Sequence, residues 1–517
     1  MPKEFERDTF DAEIQALFGQ HVVAGQSPGL VYARTTSEGI AHSAAFGVAN
    51  DDGLVPDLDT VFPIASITKS FVACAALIAR DRGVLSLNDP ITSYIPEFSA
   101  SGTVEDPCAP PTLGMLLSMS GGLTEDNAWV DPFIDATENE MLAQVARGLR
   151  YSHLPGNTFE YSNLGFTLAG LAVGRAVGRP IEDFVRDEIF VPLGLTSTCF
   201  DNAAPADIHR ATGYQLDAAG EWQPYPFTAS AAFAAAGGIM STVRDLAAWI
   251  TWLGSAFRPP LAGDVDALSR ASRREMQRVW IVGLPALSTT ADGGLQPSIG
   301  GYGLGLGLSL DLHRGLMVAH GGGLPGFLLF VLWHPDSGNG VVSMTNSHRG
   351  NAAGLCAQTL GRTLARDRAA AGTVVLWRET MELREAAERL IRDWDDNLAA
   401  AVLSDNVDFD RPLTQRRTEI ASMIEEVGPL VGASQTVNIV SAATAADITW
   451  SIPGQRGELI CMIHLTPVQP ARIQEIVVQA VPSGAPRSAA PVDISPRRVG
   501  LGEAFISPVT NVRVVIP

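Results

Sequence analysis

Nine consecutive apolar residues, Phe71-Val72-Ala73-Cys74-Ala75-Ala76-Leu77-Ile78-Ala79, follow Ser66-Ile67-Thr68-Lys69 and give out near Arg82-Gly83. The run reads as a helix opened by Ser66 and buried nearly all round. Such a helix needs protein on every side, so it belongs at the centre of a large domain. Only two of the 36 basic residues are lysines, and one of them is Lys69, at the start of this helix. Arg cannot release its proton, whereas a desolvated Lys can fall from about 10.4 towards ~7–8 and act as a base. Ser66 and Lys69 lie one helical turn apart, which suits a nucleophile and its activator. A Ser-x-x-Lys pair arises by chance about once or twice in a chain of this size, but chance is a poorer explanation where Lys is so rare.

Around this helix the pattern predicts an α+β domain. Residues 11–23 read as an amphipathic helix, and residues 29–34 and 41–49 as a strand pair. Residues 113–195 read as mostly helical, and strands return at 303–310, 316–320, 327–333 and 340–345. Strands at both ends with helices between them predict one sheet assembled from the two termini. A linker is expected around residues 366–373, which divides the chain into domains over 1–372 and 373–517. The second is a small α+β domain, with helices over 381–403 and 416–427 and three strand-like runs over 436–481. After it come a tail rich in Pro, Ser and Ala and an apolar run, Val512-Arg513-Val514-Val515-Ile516, that reads as an edge strand.

Two further clusters carry chemistry. In Tyr161-Ser162-Asn163, a phenol beside a Lys ammonium is stabilised as phenolate and could exchange a proton with Ser66. Asn163 offers a donor and an acceptor, suited to holding Lys69 and a substrate carbonyl. In His320-Gly321-Gly322-Gly323, placed at the end of a strand, glycines let a substrate approach the backbone and aim N–H groups at an oxyanion. Gly25-Gln26-Ser27-Pro28-Gly29 matches a nucleophile elbow in spelling, but it lies between a helix and a strand, the reverse of what that motif requires. Gly301 to Leu308 alternates Gly with larger residues, the period of a strand with small residues on one face rather than a phosphate loop.

These three clusters, in this order, resemble the serine β-lactamase and penicillin-binding-protein superfamily in its class C-like branch. Gly83-Val84-Leu85-Ser86, Leu116-Leu117-Ser118-Met119-Ser120-Gly121-Gly122, Gly237-Gly238-Ile239-Met240 and Pro335-Asp336-Ser337-Gly338 are similar too, and the resemblance covers roughly residues 10–370. It implies an antiparallel sheet flanked by helices with a mostly helical subdomain. It also implies an acyl-enzyme on Ser66, with Lys69 and Tyr161 sharing acid and base work. Asn163, His320, Gly322 and Gly323 would meet substrate, and the N–H groups of Ser66 and Gly323 would form an oxyanion hole. His320 stands where penicillin-directed members usually carry Lys, which weakens the case for a carboxylate-bearing β-lactam or a peptide C-terminus. Met119 stands where many relatives have His, a difference read as structural. The second domain resembles the NTF2-like fold, a lipocalin-like barrel being disfavoured by its helices. It could cover the site, dimerise the chain or stabilise it; a homodimer is the expectation.

The formal charge of −20 argues against nucleic acid or an anionic membrane as partner. Neither a leader-like start nor a membrane-length apolar run is seen, and the five scattered cysteines lack C-x-x-C spacing. A cytoplasmic chain without zinc is expected, and no cofactor or metal motif is present. The first functional expectation is an esterase acting on a small-molecule ester. The alternative is a D-amino-acid amidase, peptidase or peptidyl transacylase, and a catalytically silent acyl-ligand sensor is a third. Residues 127–135, 225–233 and 285–298 are expected to flank the pocket, with Trp129, Tyr225 and Phe227 suited to an apolar acyl or aryl group.

Overall fold

The computed structural model describes residues 2–101, 109–204, 209–260, 264–283, 286–289, 295–311, 315–367, 376–432, 438–442, 444–483, 505–506 and 513–514. It divides into two compact units, Met1–Ala371 and Gly372–Pro517. Residues 368–375, which include most of the expected linker, lie outside the described residues, as do Cys108 and the tail over 484–504.

In the first unit the N-terminal hairpin Gly29–Thr36 and Gly39–Gly47 joins a meander of later strands, Gly307–Asp311, Gly315–Leu324, Phe327–His334 and Asn339–Thr345, in one antiparallel sheet. The join is between the first strand and Asn339–Thr345, with Leu30 opposite Thr345 and Thr35 opposite Gly340. The expected assembly of the sheet from both termini is what the chain adopts. Both faces of Gly29–Thr36 are covered, which is why its first five residues are apolar without alternation. Leu30 and Tyr32 pack with Ile14, Phe18, Leu355 and Leu360 of the terminal helices Pro2–Val23 and Ala352–Arg366. Val31 and Ala33 face the main core with Phe71 and Trp249.

The helix opened by the Ser66 turn is split: a 3-10 turn, Ala65–Ile67, is followed by the α-helix Thr68–Asp81. Every residue from Thr68 to Ala79 is buried. Phe71 stacks on Trp249 with ring centroids 4.0 Å apart, and Trp249 Nε1 donates to Ser70 Oγ at 3.0 Å. Full burial of one such ring contributes about 1.5–3 kcal/mol. The helical stretch over 113–195 is a set of short helices around one long one, Asn163–Val177.

Two expectations about the strands need correction. The Gly301–Leu308 run is no single strand: Leu295–Tyr302 ends and Gly307–Asp311 begins across a turn. In that turn Gly305 has φ +66°, and a Cβ there would stand 2.4 Å from Lys69 O, so the turn packs onto the central helix where a larger residue would not fit. The His320 cluster does not end a strand; Gly315–Leu324 runs through it, because the Pro325-Gly326 turn continues the ladder with Leu324 opposite Phe327. Ser27, in the rejected elbow, is buried and donates to Gly29 O at 2.7 Å, a structural contact in the loop that enters the first strand.

In the second unit the expected helix over 381–403 is two helices, Arg378–Arg392 and Asp396–Val402, because Asp395 caps the second through the N–H groups of Asn397 and Leu398. The sheet has four strands where three were expected: Asn438–Ser441, Asp447–Gly454, Gly457–Leu465 and Ile473–Pro482, in that order. Ala387, Leu390 and Ile391 pack against Ile448, Trp450, Leu459, Cys461 and Ile463 on one face of this sheet. Of the terminal apolar run only Arg513–Val514 is described, paired with Phe505–Ile506. Among the described residues no helix is long and apolar enough to cross a membrane, and no cluster of His, Cys, Asp or Glu could hold a metal.

Candidate active site

Ser66 sits in the turn Ala65–Ile67, and the residue before it, Ala65, has φ +48°, an uncommon value for a non-glycine residue. Lys69 Nζ lies 2.9 Å from Ser66 Oγ, 2.8 Å from Asn163 Oδ1 and 2.7 Å from the carbonyl oxygen of Ala236. The Lys69 side chain has no solvent exposure, and this burial pulls the amine down to about 7 against the raising effect of Asp126.

Tyr161 places its ring beside this amine, 5.0 Å from Nζ to the centroid, and its hydroxyl is hydrogen-bonded to Ser66. Burial pushes the phenol well above its ordinary value, and the charges of Asp126 and Glu125 push it the same way. The expected phenolate is therefore replaced by a phenol: burial outweighs the lowering effect of Ser66, and the neighbouring amine is itself pulled down to about 7.

Asn163 is the first residue of the helix Asn163–Val177, with Ser162 as its cap. Its position is set by Asp126, a residue the sequence reading missed. The Asp126 carboxylate accepts from Asn163 N at 2.7 Å, Leu164 N at 2.8 Å and Ser162 Oγ at 3.0 Å. Asn163 Nδ2 donates to Asn127 Oδ1 at 2.8 Å, which orients Oδ1 towards Lys69. Met119, at φ +58°, accepts from Ser162 N through its sulfur, a structural role as expected.

His320 departs from expectation. Its Nδ1 is 2.7 Å from Gly321 O and its Nε2 is 2.8 Å from the hydroxyl of Tyr302. A carbonyl can only accept, so Nδ1 carries the proton and Nε2 accepts from Tyr302. Burial and the nearby Lys69 push the imidazole down to about 3, so it is neutral near pH 7. Both ring nitrogens are thus engaged by the protein, and the substrate-binding role expected for the ring has no free polar atom to use. Two residues on, a Cβ at Gly322 would stand 2.3 Å from Ile64 O, so only glycine lets this strand approach the Ser66 turn. Gly323 is exposed.

The expected flanking segments 127–135 and 225–233 meet, with Ala231 N donating to Ile134 O at 3.0 Å. Trp129 and Tyr225 are exposed, and Phe227 lies under the Arg210 guanidinium, 4.3 Å from the ring centroid. Of the third segment, residues 285 and 290–294 lie outside the described residues.

A family model described as Beta-lactamase matches residues 14–362. The chain belongs to the beta-lactamase family. This member is 26% identical over 294 residues to Protein flp of Staphylococcus aureus, a match covering 56% of this chain and 53% of flp. It thus spans about half the length of the curated relatives it matches. Among solved structures, the octameric penicillin-binding protein homologue from Pyrococcus abyssi is 18% identical with TM-score 0.60, covering 90% of this chain and 99% of its own. EstCE1, a hydrolase with promiscuous acyltransferase activity, is 18% identical with TM-score 0.53, covering 66% and 95%. Both share the fold, an α+β architecture of mixed helix and antiparallel sheet.

Proposed function

We propose that this chain is a carboxylic ester hydrolase acting through an acyl-enzyme on Ser66. The observation that carries the reading is how the Lys69 amine is held. A neutral amine has two N–H bonds and one lone pair. Ala236 O, and Asn163 Oδ1 as oriented by Asn127, can only accept, so they take the two N–H bonds. The lone pair is left facing Ser66 Oγ at 2.9 Å.

In this reading the Ser66 proton passes to Lys69 as Oγ bonds to the ester carbonyl carbon. The oxyanion is held by the backbone N–H groups of Ser66 and Gly323. Support comes from the strand register: with Leu324 opposite Phe327 across a two-residue turn, ladder alternation directs the Gly323 N–H away from the neighbouring strand. Tyr161, kept as a phenol, relays a proton from Lys69 to the departing alcohol oxygen. That restores the neutral amine, which then takes a proton from the water that attacks the acyl-enzyme and returns it to Ser66 Oγ as the bond from the acyl carbon to Oγ breaks and the carboxylic acid leaves. The neutral His320 supports an ester with no carboxylate to be recognised, rather than a β-lactam or a peptide C-terminus. The acyltransferase activity of EstCE1 favours one second reading, acyl transfer to an alcohol or amine in place of water.

The test is turnover of p-nitrophenyl butyrate and D-alanine p-nitroanilide by the wild type and Ser66→Ala. Ester turnover that is lost in the variant is expected. Preference for the D-amide supports the amidase alternative, and ester turnover that survives Ser66→Ala overturns the reading.

A further inference from the structure

The pairing of Tyr302 with His320 has a consequence for substrate choice. Tyr302 ends one strand and His320 lies within another, two strands away in the sheet. Both are buried, at 5% and 6% exposure, with the hydroxyl and Nε2 2.8 Å apart. The other ring nitrogen is committed to Gly321 O. In this arrangement the phenol donates into the lone pair that a proton would need, and a hydrogen bond to the neutral form of a base opposes its protonation.

We propose that Tyr302 is a specificity-determining positioning residue: by donating to His320 Nε2 it fixes the Nδ1–H tautomer and, together with burial and Lys69, denies the site a second cation that would select carboxylate-bearing substrates. The inference rests on the Ser66 acyl-enzyme reading. The titratable groups facing the ring are few. Lys69, from the central helix, opposes its protonation; Tyr302 donates to it; Tyr161 acts on Tyr302, and Asp126 acts on both Lys69 and Tyr161. Val331, opposite His320 in the next strand, carries no charge. Removing the Tyr302 hydroxyl leaves a buried Nε2 acceptor without its donor, and two events can satisfy it: entry of water, or protonation supported by an anionic substrate.

The experiment compares kcat/KM for p-nitrophenyl hemisuccinate, which is anionic, with that for p-nitrophenyl butyrate between pH 5.5 and 8.5. Protonation of Lys69 depresses both substrates alike, so it cancels in the ratio. For the wild type the ratio should be flat. For Tyr302→Phe it should rise about tenfold as pH falls, since His320 is cationic only below its own pKa. In Tyr302→Phe/His320→Gln the rise should disappear. A flat ratio in Tyr302→Phe while butyrate is still turned over overturns the inference and leaves the Ser66 reading intact. Failure of the wild type to turn over either ester overturns that reading first. Should Tyr302→Phe not fold, the 15N shifts of the His320 ring in the wild type, assigned by their loss in His320→Gln, decide the matter. A protonated Nδ1 and unprotonated Nε2 from pH 5.5 to 8.5 support the inference, and an Nε2–H tautomer or a titration in that range overturns it.

Discussion

Lys69 Nζ lies 2.9 Å from Ser66 Oγ inside a shell of protein that leaves the amine no contact with solvent. Water would keep this amine charged at any physiological pH; without it the amine falls to about 7. The base must be neutral to accept the Ser66 proton. kcat/KM for p-nitrophenyl butyrate is therefore expected to rise with pH through about 7, falling tenfold per unit on the acid side. Lys69→Arg, which keeps a charge that cannot be released, should lose about 10²–10⁴-fold. A wild-type profile flat from pH 5 to 9 would count against this.

The same burial makes Lys69 a pH-dependent load on the fold. Its folded value, about 7, lies below the unfolded value of about 10.4, so between those limits the unfolded chain binds more protons and stability rises with pH. The penalty is full below the folded value and fades as pH climbs. Relative to Lys69→Met, the wild type should gain up to about 1.4 kcal/mol per pH unit between pH 7 and 9. Urea unfolding at three pH values measures this, and parallel curves for the two proteins would rule it out.

Asp126 joins stability to chemistry, because its carboxylate caps the helix that presents Asn163. Asp126→Ala should cost about 1–3 kcal/mol and lower activity as well. Asp126→Asn removes the charge that raises Lys69, so the acid limb of its rate profile should move to lower pH. An acid limb unmoved in an active Asp126→Asn would show that Asp126 acts only as a cap.

The parts of the site legible in the sequence are those carried by local spacing. Ser66 and Lys69 are one helical turn apart, and the apolar run behind them announces the burial that tunes the amine. Asp126 escaped notice because its partners lie 36 to 38 residues away and nothing local distinguishes it from a loop acid. The Ala236 carbonyl has no side-chain signature at all. Tyr302 was hidden in a glycine alternation that looked like one strand, whereas Gly305 turns the chain there. The expected phenolate at Tyr161 failed for another reason: proximity of opposite charges can be read from a motif, but desolvation depends on everything packed around it.

Two glycines separate close packing from loop freedom. Gly305→Ala combines φ +66° with a Cβ 2.4 Å from Lys69 O, and Gly322→Ala would drive a Cβ to 2.3 Å from Ile64 O. Gly83→Ala, at φ +72° with nothing within 4 Å, meets the backbone penalty alone, about 1–2 kcal/mol. Thermal denaturation should rank the first two well below the third. Gly322→Ala should also lose activity, since it moves the Gly323 strand from the Ser66 turn; full activity in that variant would contradict the proposed oxyanion site.

The central claim is that Ser66 becomes acylated. Intact mass after brief exposure to p-nitrophenyl butyrate, and separately to a fluorophosphonate probe, tests it most directly. The account predicts one added butyryl or phosphonyl group on the wild type, mapped to the peptide containing Ser66 and absent from Ser66→Ala. An adduct that persists in Ser66→Ala, or a wild type left unmodified by both reagents, would contradict it.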